Sequence, residues 1–304
     1  MFPEPNHLPW GAERLWEQLQ PLLPGISVEV VARADSTNTQ LIDRARDYSG
    51  RRDQPVTLPG TLDARDRDDE RSPHGRRTGD TQPCLLVAEQ QTRGRGRHGR
   101  HWQSTAGASL TFSLSLPLAP RDWSGLSLAV GVALAEALDG PAAGPGPRLA
   151  LKWPNDLWLM DGPGQGRKLG GVLIETVMVG SRRMAIVGVG LNVLPQSLRE
   201  LSTGYACLQE RQPDITAPGA LQQVAVPLAQ ALLAFEREGF AAFAARFAQR
   251  DLLRGQPITT TLPELPEGVA DGVAADGALR MRVGEGPGAT LHLVSSGDVS
   301  VRLR

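Results

Sequence analysis

The apolar positions along the chain switch repeatedly between a helical and an extended period, and this switching predicts a mixed α+β protein. Leu8, Trp10, Leu15, Trp16, Leu19 and Leu22 recur at helical spacing and stop at Pro24-Gly25, which predicts a helix over residues 8–23. Residues 26–32 then alternate as a strand, and 39–46 read as a short helix that Asp35, Ser36 or Thr37 could cap. Further strands are expected at 84–88, 149–153, 156–160, 171–179 and 184–189. Residues 110–116 set Leu and Phe against Thr and Ser, the pattern of a strand with one dry and one wet face. Residues 126–138 are apolar on most sides and predict a buried helix. Helix returns over 219–250, with Pro227 near its early turns and Phe235, Phe240, Phe243 and Phe247 as packing anchors. From Asp251 the chain becomes short strands with turns expected at Glu267-Gly268, Asp276-Gly277 and Ser296-Gly297, which reads as a small β-barrel.

This divides the chain into a larger α+β body, 1–250, holding a mixed and largely antiparallel sheet, and a β-rich unit, 251–304. One stretch fits neither. Residues 50–83 are crowded with charge, Pro and Gly, so they are expected to form a mobile insertion, and the Gly/Pro run 140–147 a loop.

Composition narrows the classes of function. With 40% apolar residues in 304, the chain can bury a substantial core, and a formal net charge of −1 gives no global field for DNA, RNA or an anionic membrane. Cys84 and Cys207 stand far apart without metal-ligand spacing, so they are expected as core thiols in a reducing compartment. No basic-then-apolar leader and no apolar run of about 18 residues is present, so a cytoplasmic protein with no membrane partner is expected.

The densest chemical signal is Gly94-Arg95-Gly96-Arg97-His98-Gly99-Arg100-His101-Trp102, within a loop expected at 89–103. Its glycines let backbone approach a ligand, and its arginines supply planar forks for carboxylate or phosphate oxygens. A nucleic-acid-binding Arg/Gly tract is the rival from another class, but this run is single, short and bracketed by strands. Lys152-Trp153-Pro154-Asn155-Asp156 places a lysine and an acid across a Pro-forced turn. Lys168 stands at the entrance of an apolar strand beside Gly170 and Gly171, and Gly188–Val193 leaves a strand to deliver the amide of Asn192.

Taken in order, STN at 36–38, AEQQTRGRGRHGRHW at 88–102, KWPNDLW at 152–158, KLGGVLIE at 168–175, GVGLNV at 188–193 and SGDVSVR at 296–302 resemble the biotin–protein ligases from about residue 8 to the C-terminus. The resemblance implies a class II aminoacyl-tRNA synthetase-like catalytic domain followed by an SH3-like barrel. It implies an enzyme that forms biotinyl-5′-AMP from biotin and ATP, with Mg2+, and transfers biotin to a lysine of a biotin carboxyl carrier protein domain. It casts Lys168 as the principal catalytic residue, with Arg95, Arg97 and the Gly96 amide holding biotin and phosphates on a loop anchored at Gly94. Ser36, Thr37, Asn38 and Gln91 take the ureido head. Gly171 and Gly188 allow close approach, Lys152 faces phosphate, Asn192 reads adenine, Trp102 closes the loop and Asp156 is a metal-ligand candidate. A lipoate–protein ligase is the rival within the same chemistry. Some members add an N-terminal DNA-binding module. The 35 residues before Ser36 are here spent on a helix and a strand, so no DNA partner is expected. Edge-to-edge sheet pairing leaves room for a homodimer.

Overall fold

A computed structural model describes residues 8–51, 81–139, 148–196, 203–297 and 300–303. The expected insertion at 50–83, apart from its ends, and the expected loop at 140–147 lie outside the described residues.

The body is built on a seven-stranded sheet in the order β1-β2-β5-β9-β8-β7-β6. Its strands are β1 (Ser27–Ala34), β2 (Cys84–Gln91), β5 (Ser109–Pro117), β6 (Leu149–Lys152), β7 (Asp156–Gly162), β8 (Gln165–Val179) and β9 (Arg182–Asn192). Among the described strands only β1 and β2 form a parallel ladder, with helix α2 (Thr37–Arg51) following β1 in the chain. Helices α1 (Ala12–Leu19), α3 (Leu126–Asp139) and α4 (Ala217–Glu238) cover one face, where Leu15, Phe112, Leu134, Leu232 and Phe235 share the main core. Helix α2 covers the other face over β5, β8 and β9, with Leu41 and Ile42 packed on Leu86 and Ile186. The aromatic anchors hold as read: Phe235, Phe240, Phe243 and Phe247 are all buried, with Phe243 at the start of the short helix α5 (Ala244–Ala248) and Phe247 within it.

Several local expectations are corrected. β5 is not half wet: Thr111, Ser113 and Ser115 are as buried as Phe112, because α2 lies over the polar face. Lys168 is inside β8 and not at its entrance, since the turn at Gly164 (φ +70°) lets β8 pair back along β7 from Gln165. Pro227 is in the interior of α4 (Ala217–Glu238), which starts two residues before the expected 219 at a Thr216 cap whose Oγ1 accepts from the Gly219 amide. Glu267 and Gly268 belong to a strand, not a turn; at 268 an added Cβ would lie 2.7 Å from the Arg282 carbonyl oxygen, so glycine permits the close strand approach. The helix after Ser36 starts at Thr37 and not at 39, with the Ser36 carbonyl accepting from the Gln40 amide.

After α5, β10 (Pro257–Thr260), β11 (Glu267–Val273), β12 (Leu279–Val283), β13 (Thr290–Val294) and β14 (Val301–Leu303) form an antiparallel sheet in the order β13-β12-β11-β10-β14. Backbone and side-chain hydrogen bonds stitch it to the body. Leu151 on β6 donates to the Arg250 carbonyl at 2.7 Å and accepts from the Leu252 amide at 3.0 Å. The buried Trp153 indole donates to the Gly277 carbonyl at 3.0 Å, in the Asp276-Gly277 turn that the sequence predicted. This stitching keeps Leu303 of β14 packed against Ala150 of β6 and Trp158 of β7. Both cysteines are buried. Among the described residues no helix is long and apolar enough to cross a membrane.

Candidate active site

Between the body and β14 lies a cavity of about 650 Å3. The structure brings into its wall Ser36, Thr37, Asn38, Gln91, Arg95, Gly96, Arg97, Trp102, Lys152, Asp156, Lys168, Gly171, Gly188 and Asn192. Of the residues to which the resemblance gives a role, Gly94 is the one outside this wall. Its strand β3 (Gly94–Arg95) pairs with β4 (His101–Trp102), and a Cβ on Gly94 would collide with the Trp102 carbonyl. The expected open loop is therefore a hairpin across the cavity mouth, with His98 at φ +55° in its tip. Trp102 ends it by packing on Gly190, where an added Cβ would come within 2.6 Å of the indole.

One end of the cavity is neutral and hydrogen-bonding. The Thr37 amide donates to Gln91 Oε1 at 2.7 Å, and Ser113 Oγ lies 2.6 Å from both Thr37 Oγ1 and Asn38 Oδ1. Gly188 leaves the space that Asn38 occupies, since a Cβ there would overlap its side-chain oxygen. Ser113 was missed from sequence because a serine alternating with Phe112 reads as solvent-facing. Only the long-range placement of α2 reveals it.

The other end is cationic. β6 and β7 meet in the turn at 153–155, so Lys152 and Asp156 pair directly in register. On β8 an extra residue is inserted, since Leu157 pairs with Gly170 while Trp158 pairs with Lys168. This bulge aims Lys168 back across the strand, and its Nζ donates to Asp156 Oδ1 at 2.7 Å. Gly171 keeps the space beside that pair open: a Cβ there would lie 3.3 Å from Asp156 Oδ1 and 3.7 Å from Lys168 Nζ. Lys152 is buried, with its Nζ 5.4 Å from the Trp158 ring centroid. Burial pushes its ammonium below the usual lysine range; Asp156 opposes this, while Lys168, Arg100 and Arg302 add to it. Protonated Lys152 therefore costs stability, and the cost fades as pH rises through the depressed value. Arg100 and Arg302 also line the cavity, and the motif reading assigned neither a role.

The loop arginines are not aimed as expected. Arg95 Nη2 bonds to Glu175 Oε2 at 2.7 Å, on the neutral end. Arg97 donates to the carbonyls of Ser296 and, at 2.6 Å, Gly297; Arg100 Nη2 reaches Ser300 Oγ at 3.1 Å. The Gly96 amide is used inside the hairpin, on the Arg100 carbonyl at 2.7 Å. Asn192 Nδ2 donates to the carbonyls of Lys168 at 3.3 Å and Ala206 at 3.0 Å, which leaves its Oδ1 as the group it can offer.

Residues 76–192 match the model of the Biotin/lipoate A/B protein ligase family. The chain is 31% identical to the bifunctional ligase/repressor BirA of Escherichia coli, over 91% of this chain and 74% of that protein. It is also 31% identical to the biotin–[acetyl-CoA-carboxylase] ligase of Mycobacterium tuberculosis, over 97% of this chain and 92% of that one. The fold matches the biotin protein ligase of Aquifex aeolicus solved with biotin and ATP, at a TM-score of 0.65 and 24% identity, covering 91% of this chain and 99% of that one. A two-ended cavity under an Arg/Gly hairpin, on this fold and with relatives this similar over most of their length, makes the chain a member of the biotin protein ligase family.

Proposed function

We propose that this chain joins biotin to a lysine of a carrier protein at the expense of ATP, and that both steps run in the one cavity. The carrying observation is the contrast between its ends. Biotin has a neutral ureido head, which suits the hydroxyls and amides of Ser36, Thr37 and Gln91, and an anionic carboxylate, which must meet an anionic triphosphate at the cationic end. The apolar dithiolane of lipoate would leave the polar end unpaired, which favours biotin.

In the first step a biotin carboxylate oxygen attacks the α-phosphorus and the bond to pyrophosphate breaks. Lys168 stands where both anions converge and stabilises the charge that gathers there, while Asp156 holds its ammonium in place. Lys152, Arg100 and Arg302 take the phosphates. In the second step the carrier amine attacks the acyl carbon, AMP leaves and the amine gives up its proton. Among the described residues no three His, Cys, Asp or Glu gather as a metal cage, and Asp156 already holds Lys168. Mg2+ is thus read as arriving on ATP, with Asp156 as the one carboxylate beside it. The test is incubation with biotin, ATP and a carrier domain. A gain of one biotin in the carrier mass supports the reading, and ATP-dependent lipoyl transfer instead would overturn it.

Two expected results follow. Because burial lowers the Lys152 pKa while a bound phosphate favours its ammonium, KM for ATP should climb with rising pH before the ordinary lysine range is reached. In Lys152→Arg this limb should vanish; steady-state KM across the pH range reads it. Since Asn192 offers only an acceptor, it should read the exocyclic amine of adenine. A purine triphosphate lacking that amine should bind roughly tenfold more weakly in competition assays. On the partner side, β7 pairs with β8 only as far as Gly171, and the edge beyond it is the place for an edge-to-edge homodimer, which sedimentation would detect.

A further inference from the structure

At the neutral end, Glu175 Oε2 receives two hydrogen bonds at once: Arg95 Nη2 of the hairpin at 2.7 Å and Asn38 Nδ2 of the head pocket at 2.9 Å. Asn38 Nδ2 also donates to the Leu173 carbonyl at 3.1 Å. A carboxylate and a carbonyl can only accept, so both amide hydrogens of Asn38 are spent on them and its Oδ1 must face Ser113. Ser113 then gives its single proton to Asn38 Oδ1 at 2.6 Å. Its 2.6 Å contact with Thr37 Oγ1 is left to be made by the Thr37 proton. The alternative acceptor for that proton is Gln91 Oε1, farther away at 3.2 Å and already holding the Thr37 amide at 2.7 Å.

We infer that Glu175 is a specificity-determining positioning residue: through Asn38 and Ser113 it orders the hydroxyl protons so that Thr37 Oγ1 faces the ligand as an acceptor. Gln91, whose Oε1 is fixed by the Thr37 amide, offers the ligand its Nε2 hydrogens. The Ser36 hydroxyl accepts from the Thr39 amide at 3.4 Å and keeps its own proton to donate. The pocket thus presents one acceptor and several donors. That complements the oxygen of a cyclic urea, which accepts twice, and one of its N–H groups, which donates. A cyclic guanidinium of the same shape puts a donor where the oxygen was and is rejected. Glu175 touches no ligand in this scheme. It also ties the hairpin to the pocket, because Arg95 shares the oxygen that holds Asn38.

This rests on the ureido head occupying the Ser36–Gln91 end, and the experiment separates the two ideas. The probes are biotin and 2-iminobiotin, its guanidinium analogue, with KM and kcat for pyrophosphate release measured for each. For Glu175→Gln the biotin preference should fall roughly tenfold, in KM and not in kcat, with Glu175→Asp recovering part of it. Ser113→Ala, which frees the Thr37 proton without altering charge, should narrow the preference in the same direction. If Glu175→Gln raises KM for both probes equally, or leaves both unchanged, the ordering role is wrong and Glu175 is only packing. Thr37→Ala is the control. Should it leave the biotin KM unchanged, the placement of the head fails, whatever Glu175 does.

Discussion

Lys168→Ala is expected to slow biotin-dependent pyrophosphate release by about 10²–10³-fold while the chain stays folded. The reason is positional as much as electrostatic. A bulge on β8 turns the side chain toward Asp156, and the open space at Gly171 leaves the ammonium reachable from the cavity, where the proposed mechanism brings carboxylate and α-phosphate together. Two anions approaching each other need a fixed positive charge at the moment that negative charge concentrates on the transferred group. A lysine already held by a carboxylate supplies this with little reorganisation. Removing it does further harm, because Asp156 loses its hydrogen-bonded ammonium beside the incoming phosphates. The double variant Lys168→Ala with Asp156→Asn should therefore recover ATP binding relative to the single one, but not the chemical step. Pyrophosphate release at saturating biotin and ATP, with a melting curve for each variant, separates these effects. A loss within tenfold in a folded Lys168→Ala would remove Lys168 from its role.

Much of this architecture was legible in the chain, and the exceptions share a cause. The strands, the buried helix α3, the four phenylalanine anchors and the motif residues of the cavity wall were all reachable from local pattern, because period and glycine placement report local geometry. What local pattern cannot report is what lies across from a residue. The Thr and Ser of β5 looked wet until α2 was seen to cover them, so Ser113 was missed, although it lies between Thr37 and Asn38. Arg302 sat within a quoted motif but could not be given a site before β14 was placed against the body. Glu175 stood inside the expected strand 171–179 with no role assigned, and only the return of the hairpin over β8 brings Arg95 to it. The loop arginines illustrate the same limit from the other side. Their abundance announced anion chemistry, yet their aim depends on distant partners, and the three of them point to three different places.

That division of labour leads to the second large effect, at Arg97. Its guanidinium reaches the carbonyls of Ser296 and Gly297, where the main cavity meets a second groove of about 440 Å3 that Arg97 also lines. The hairpin tip is thereby tethered to the segment joining β13 and β14, with Arg100 on Ser300 as a second tether. An adenylate phosphate is a stronger acceptor than a neutral carbonyl, so Arg97 should exchange one for the other when the intermediate forms. Either partner keeps the lid ordered, but only the phosphate makes lid closure depend on what lies beneath it. Arg97→Ala loses both, and the acyl-adenylate, a mixed anhydride, should leave about 10–100-fold faster, the worth of charge-assisted bonds of this kind. Its signature is a gain of function: biotin appearing on bystander lysines in a mixture without any carrier, at near-normal rates of pyrophosphate release. Arg100→Ala should give a weaker version, because Arg97 still spans the mouth. Adenylate retention can be timed by rapid filtration after chasing with unlabelled biotin. If the Arg97→Ala protein holds its adenylate as long as the parent does, the hairpin is closed by its own strand pairing and by Trp102, and the arginine serves only the C-terminal sheet.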